Sequence, residues 1–296
     1  MTEIIANLAQ VASRYDAVFC DLWGCLHDGV KPFPAAVAAL RAYRAQGGIV
    51  ILVTNAPRPK PSVVKQIQAM GVPDDAWDEV VSSGDAAQYA LITGAVGRRV
   101  HHIGTEKDLT FFTDFADDLQ DTVKREQPIE RVQLSDAQGI VCTGLFDDLT
   151  ETPEDYRATL LMAKTKGLPM LCANPDVIVD MGHLRLYCAG AIAQAYEMMG
   201  GKALYFGKPH PPIYDLARRR LSALTDVPDP AILCIGYGIT TDVQGGLSEG
   251  LDTLFVTGGI ATAEFGPDSD NPIKDLLKTY LDARQMTATY AIGKLR

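Results

Sequence analysis

Ala17-Val18-Phe19-Cys20-Asp21-Leu22-Trp23-Gly24-Cys25-Leu26 is the stretch that decides the fold. Its first four residues are apolar without alternation. That is the pattern of a short strand buried on both faces, as the central strands of parallel sheets are. An aspartate follows at once, and a glycine three residues later. A carboxylate held at the end of a buried strand is costly unless it has a partner or a task. Outward from this stretch, residues 34–46 place Val37, Leu40 and Tyr43 at helical spacing, and Gly47-Gly48 stop the helix. Residues 49–53 (Ile-Val-Ile-Leu-Val) are a second buried strand. Residues 61–70 form a helix opened by Pro61 and closed by Gly71, and Val80-Val81 mark a third strand. This alternation predicts a doubly wound parallel α/β sheet.

The same pattern resumes near the end of the chain. Strands are expected at 203–206, 231–235 and 253–256, with helices at 212–224 and 242–249, and a last helix opens at Pro272. Between the two halves lie strands near 100–103, 139–142 and 169–172, and helices near 108–119, 153–166 and 188–199. The organisation predicted is a core of residues 1–83 with 201–296 and an inserted second α/β domain of residues 84–200. No internal repeat or low-complexity run interrupts it.

The chain has 296 residues, 47% hydrophobic and 22% charged, which suits a globular protein of two domains. Its 27 Lys+Arg against 37 Asp+Glu give a net charge of −10. That charge argues against a nucleic-acid partner, which needs a basic face, and against an anionic membrane surface. No apolar run approaches the roughly 20 residues needed to span a bilayer. Glu3 and the missing apolar region after it argue against a secretory signal. Six scattered cysteines without a CxxC pair read as free buried thiols, and a cytoplasmic location is expected.

Open parallel sheets gather ligands at the carboxyl ends of their strands. There the sequence supplies Asp21, Thr54-Asn55, Gly207-Lys208-Pro209 and Gly236-Tyr237-Gly238-Ile239-Thr240-Thr241-Asp242. A carboxylate, a hydroxyl, an ammonium, a second carboxylate and turn amides at Gly24 and Asn55 suit phosphoryl transfer. An aspartate can attack phosphorus and split the reaction into two steps. Cations and N–H donors offset the charge on the transferred oxygens. No GxGxxG follows the first strand, which removes a Rossmann oxidoreductase.

These segments, in this order, resemble the haloacid dehalogenase (HAD) superfamily. Asn174-Pro175-Asp176 and the stretch Phe206-Gly207-Lys208-Pro209-His210-Pro211-Pro212-Ile213-Tyr214 sharpen the resemblance to its class IIA, NagD-like or 4-nitrophenylphosphatase-like branch. The resemblance spans roughly residues 16–259. It implies a C2-type cap in the inserted domain, Mg2+ as cofactor and a small phosphorylated substrate such as a sugar phosphate or nucleotide. It implies Asp21 as nucleophile and metal ligand, the Trp23 backbone carbonyl and Asp242 as further ligands, and Lys208 beside the phosphoryl group. Gly24, Thr54 and Asn55 would hold that group. Asn174, Asp176 and His183 would stand near the leaving group, and caps of this kind take part in homodimers.

Two positions depart from the family pattern. The residue two after the nucleophile is normally an aspartate that protonates the leaving oxygen, and here it is Trp23. The fourth motif normally begins Gly-Asp, and here Gly236 is followed by Tyr237. An indole N–H only donates, and a neutral phenol is a poor magnesium ligand. His27 or Asp28 is a candidate for the missing acid, and Asp242 for a closer role at the metal. The alternative is a catalytically degenerate protein that binds phosphate or a metabolite on the same fold.

Overall fold

A computed structural model describes residues 2–181, 184–259 and 261–296 of the chain. The chain divides into two compact units. One consists of Met1–Thr54, Gln66–Val81 and Tyr214–Arg296, and the other of Asn55–Lys65 and Ser82–Ile213.

The first unit is built on a seven-stranded sheet. Its strands lie in the order Glu3–Ile4, Tyr290–Ile292, Asp252–Val256, Ile232–Gly236, Ala17–Cys20, Ile49–Thr54 and Glu79–Ser82. All four residues of Ala17–Cys20 are buried. This strand pairs in parallel with Ile49–Thr54 on one side and Ile232–Gly236 on the other. The chain first runs outward past Ile49–Thr54 and later returns on the opposite side. That reversal is the switch point at which open sheets leave a crevice. The helix Pro34–Ala45 starts on its proline and buries Ala36, Leu40 and Tyr43. On another part of the sheet Phe255, Phe265, Leu277, Tyr280 and Leu281 form an aromatic-rich cluster against the helix Lys274–Ala283. Each such buried side chain stabilises the fold by about 1.5–3 kcal/mol.

The second unit carries a five-stranded parallel sheet in the order Lys202–Tyr205, Pro169–Cys172, Gly139–Cys142, Arg99–Ile103 and Glu130–Arg131. Successive residues feed its two faces. Ile140, Cys142, Met170 and Cys172 join one core cluster, while Val141 and Leu171 join another. An antiparallel pair, Ile178–Met181 with Leu184–Tyr187, adds a short arm.

Three elements differ from expectation. The strand expected at 203–206 as part of the outer sheet belongs to the inserted one, paired in register with Pro169–Cys172. Its alternation explains this: Ala203 and Tyr205 pack on one core of the second unit, and Leu204 and Phe206 on the other. The helix expected over 108–119 is instead two 3-10 segments, Glu106–Phe112 and Asp117–Leu119, before a short helix Gln120–Arg125. The buried Gln88 amide donates to Phe111 O and Asp114 O, each at 2.8 Å, and so takes carbonyls that a continuing helix would use. The helix expected over 242–249 begins as a wide π-type turn, Ile239–Val243, and only then becomes Gln244–Ser248.

All six cysteines are buried and free, as expected. Among the described residues no helix is long and apolar enough to cross a membrane.

Candidate active site

In the first unit the strand register brings three loops to one edge. Cys20 is level with Leu52 and with Ile235, so Asp21, Val53-Thr54 and Gly236-Tyr237 emerge from neighbouring strand ends. Adjacent strands are about 4.8 Å apart. Asp21 is 6% exposed, Thr54 6% and Asp242 5%. The Asp21 N–H donates to Ile235 O at 2.8 Å, which extends the ladder by one residue and fixes where the carboxylate leaves the sheet. Asp242 closes the fourth-motif loop, because its Oδ2 accepts the Gly238 N–H at 3.0 Å.

The turn after Asp21 is tightly built. Gly24 has φ +73, a conformation that side chains rarely adopt. Its N–H donates to His27 O at 2.8 Å, so this amide, expected to serve phosphate, is engaged in the turn itself. A Cβ at Gly24 would lie 2.9 Å from the Tyr237 ring, and one at Gly259 would lie 2.5 Å from it. A Cβ at Gly29 would lie 2.6 Å from the Trp23 ring. Trp23 also meets His27 edge-on, with ring centroids 5.5 Å apart. The two aromatic departures thus occupy recesses that only glycine leaves open.

Both candidates for the missing acid are hydrogen-bonded within the turn. His27 is 2% exposed and its Nδ1 accepts the Gly29 N–H at 3.0 Å. Burial holds its pKa down at about 4, so it stays neutral. Asp28 Oδ1 accepts the Val30 and Lys31 N–H groups at 2.9 and 2.8 Å. Those bonds lower its pKa and keep it an anion.

The second unit holds the other expected residues. Lys208 is 4% exposed and Asn55 4%. The Asn55 carboxamide, expected on the phosphate, is instead taken up within the protein. Its Oδ1 accepts the Lys208 N–H at 2.7 Å, and its Nδ2 donates to Lys208 O at 3.1 Å and to Asp176 Oδ1 at 2.8 Å. Asn174 is 9% exposed, and its Oδ1 accepts the Asp176 N–H at 2.9 Å, which closes a tight turn. His183 lies outside the described residues. Sequence reading did not single out Gly29, Gly259 or Ser83. Gly259 was findable, since it follows the strand end at Val256 as Gly24 follows Cys20.

Among the described residues no three His, Cys, Asp or Glu side chains converge as a ready-made metal cluster. The oxygen donors of the first unit nevertheless fit a hard cation. Magnesium is usually held by one or two carboxylates and keeps several waters. Asp21, Asp242 and the Trp23 carbonyl match that demand.

Two family models match the chain. One, for haloacid dehalogenase-like hydrolases, covers residues 18–116, and a second HAD-hydrolase-like model covers 205–282. A crystal structure of a haloacid dehalogenase-like family hydrolase from Brucella suis 1330 is 40% identical. It covers 99% of this chain and all of its own, with a TM-score of 0.85. The chain belongs to the haloacid dehalogenase-like hydrolase family. The class IIA branch indicated by the motifs agrees with these matches. An acid sugar phosphatase of Staphylococcus haemolyticus is 27% identical over 253 residues, covering 85% of this chain and 88% of its own. The fold is shared with a glycerol phosphate phosphatase of Mycobacterium tuberculosis solved in complex with magnesium. That protein is 24% identical with a TM-score of 0.62, over 86% of this chain and 71% of its own. In this HAD member Asp21 lies within the first matched segment and Lys208 within the second.

Proposed function

We propose that this HAD protein hydrolyses the phosphate monoester of a small metabolite, a sugar phosphate or nucleotide-like compound, through an aspartyl-phosphate. The observation that carries the reading is Asp21, a buried carboxylate at the carboxyl end of the central strand, at the switch point of the sheet. An Asp21 oxygen attacks phosphorus, and the bond to the leaving oxygen breaks with its electron pair on that oxygen. Water then attacks the same phosphorus and the P–O bond to Asp21 breaks with its electron pair on the restored carboxylate; one water proton stays on the inorganic phosphate and the other is released to solvent, from which the departed oxygen takes its proton. Thr54 and Lys208 are assigned to the phosphoryl oxygens, where an ammonium and a hydroxyl offset developing charge. Asn174 and Asp176 are assigned to the leaving group side, and the inserted domain to the role of cap. Mg2+ on Asp21, Asp242 and the Trp23 carbonyl would neutralise charge between nucleophile and phosphate. The names of the phosphatase relatives support this substrate class, and six buried free thiols suit a reducing compartment.

A second reading has its own observation. Trp23 and Tyr237 sit in glycine recesses where the family carries acids, which favours a protein that binds phosphate and barely turns it over. One experiment separates the two. Hydrolysis of 4-nitrophenyl phosphate is measured with and without Mg2+ for the wild type and Asp21→Asn. Metal-dependent turnover that Asp21→Asn abolishes supports the enzyme. No turnover over hours, with inorganic phosphate still bound, leaves the binding protein.

A further inference from the structure

We infer that Asn55 is a positioning residue that couples Asp176 to Lys208, so that the loop assigned to substrate choice and the lysine assigned to phosphate move as one. The inference rests on the proposed function for the roles of those two residues, and on the second unit alone for the geometry. A carboxamide offers two N–H donors and an acceptor oxygen with two lone pairs. Asn55 directs both donors and its acceptor oxygen to two partners. It brackets the Lys208 peptide from both sides, accepting from its N–H at 2.7 Å and donating to its carbonyl at 3.1 Å. The remaining donor goes to the Asp176 carboxylate at 2.8 Å, a charge-assisted bond.

The packing leaves little slack around this contact. A Cβ at Gly207 would stand 2.5 Å from Asn55 Oδ1, 2.6 Å from Pro175 Cδ and 2.7 Å from Ser83 Oγ. Four segments, at 55, 83, 175 and 207, therefore meet at one point. Ser83 Oγ, buried there, has no hydrogen-bond partner among the described residues, so it adds no competing anchor. Asp176 is held in turn through its own N–H to Asn174 Oδ1 at 2.9 Å, and its carbonyl accepts the Gly190 N–H at 3.1 Å at the start of the helix Ala189–Met198. Displacing Asp176 thus breaks a bond of the residue that fixes the Lys208 backbone. Aspartate at position 55 would keep the shape and the acceptor but would face Asp176 with a second carboxylate.

The test is a polarity swap. Asn55→Asp should lower kcat/KM on 4-nitrophenyl phosphate and weaken inorganic phosphate binding, each by on the order of tenfold or more. Adding Asp176→Asn returns a donor to the pair, with the direction of the bond reversed, and should recover most of that loss. A residue that merely supports the fold would not be rescued by this specific partner. In the Asn55 background, Asp176→Ala should weaken phosphate binding more than Asp176→Asn, which keeps the acceptor. This second comparison holds even if Asn55→Asp does not fold. Inorganic phosphate is titrated by calorimetry, so the coupling is read whether or not the wild type turns over. A wild type that binds phosphate without hydrolysing it overturns the proposed activity and leaves the coupling standing. Equal phosphate affinity in Asp176→Ala and Asp176→Asn, or a folded swap variant without recovery, overturns the coupling alone.

Discussion

Replacing Trp23 by aspartate should restore what the Asp21 turn lacks. Protonation of a departing alkoxide by a positioned acid is worth about 10²–10⁴ in rate, or about 3–5 kcal/mol of barrier. Backbone hydrogen bonds run through the turn that would carry the new carboxylate. Gly24 N–H to His27 O at 2.8 Å and His27 N–H to Leu22 O at 3.1 Å are backbone bonds. The indole contributes contact with Gly29 and an edge on His27, and it is half-buried. Its loss should destabilise the fold by roughly 1–3 kcal/mol, below the several kcal/mol of a fully buried aromatic. Steady-state phosphate release is measured on an alkyl phosphate and on 4-nitrophenyl phosphate. The alkyl substrate should gain about 10²-fold in kcat and the aryl one little, because 4-nitrophenolate leaves without a proton. The reasoning is refuted if the variant is folded by circular dichroism and both substrates gain equally, or neither gains.

Gly24→Ala should lose about 1–3 kcal/mol in urea unfolding, since φ +73 strains alanine and its Cβ would meet the Tyr237 ring at 2.9 Å. Adding Tyr237→Ala should relieve the collision and leave only the strain. Asp242→Asn should raise the Mg2+ concentration for half-maximal activity by at least about tenfold. An unchanged metal dependence would remove Asp242 from the donor set. His102 is half-buried, and burial holds its pKa at about 4, below the ordinary 6.5. The unfolded chain takes up a proton there before the folded chain does, so stability falls as pH drops from about 6.5 towards 4. His102→Gln should flatten that fall by roughly 1–3 kcal/mol in denaturant unfolding at neutral and acid pH.

What the sequence made legible was what short range decides. Ala17–Cys20 and Gly139–Cys142 are uninterrupted apolar runs, and each folds as a strand buried throughout. The order of the motifs then located Asp21, Thr54 and Asp242 at strand ends. Long-range partnership was not legible. Asn55 and Lys208 are 153 residues apart, and nothing local to either says that one carboxamide brackets the other's peptide. The sheet to which Lys202–Tyr205 belongs is settled by cores on both its faces, which a four-residue apolar run cannot announce. The edge strand Glu3–Ile4 and its neighbour Tyr290–Ile292 have two and three residues, too few to show a period. The partner of the Gly24 amide was not legible for a related reason. A glycine turn advertises a bend, but not whether its N–H points outward or closes the turn on His27.

The aromatic departures bear on both readings of the site. A carboxylate replaced by a large ring in a site otherwise unchanged would overpack it, at a cost of typically 1–3 kcal/mol. Here each ring is matched by absent side chains: Tyr237 by Gly24 and Gly259, Trp23 by Gly29. The rings therefore belong to the packing of the turn and are not intrusions into it. A site built this way has given up proton donation from position 23, while keeping Asp21 and Asp242 buried at neighbouring strand ends. In the proposed mechanism attack on phosphorus and metal binding need those two residues, whereas expulsion of a basic alkoxide needs the lost one. Turnover should then depend steeply on the leaving group. The slope of log kcat against leaving-group pKa, measured over a series of aryl phosphates, should be steeper for the wild type than for Trp23→Asp. Equal slopes would mean that the proton reaches the leaving group from elsewhere, and the departure at Trp23 would carry no chemical consequence.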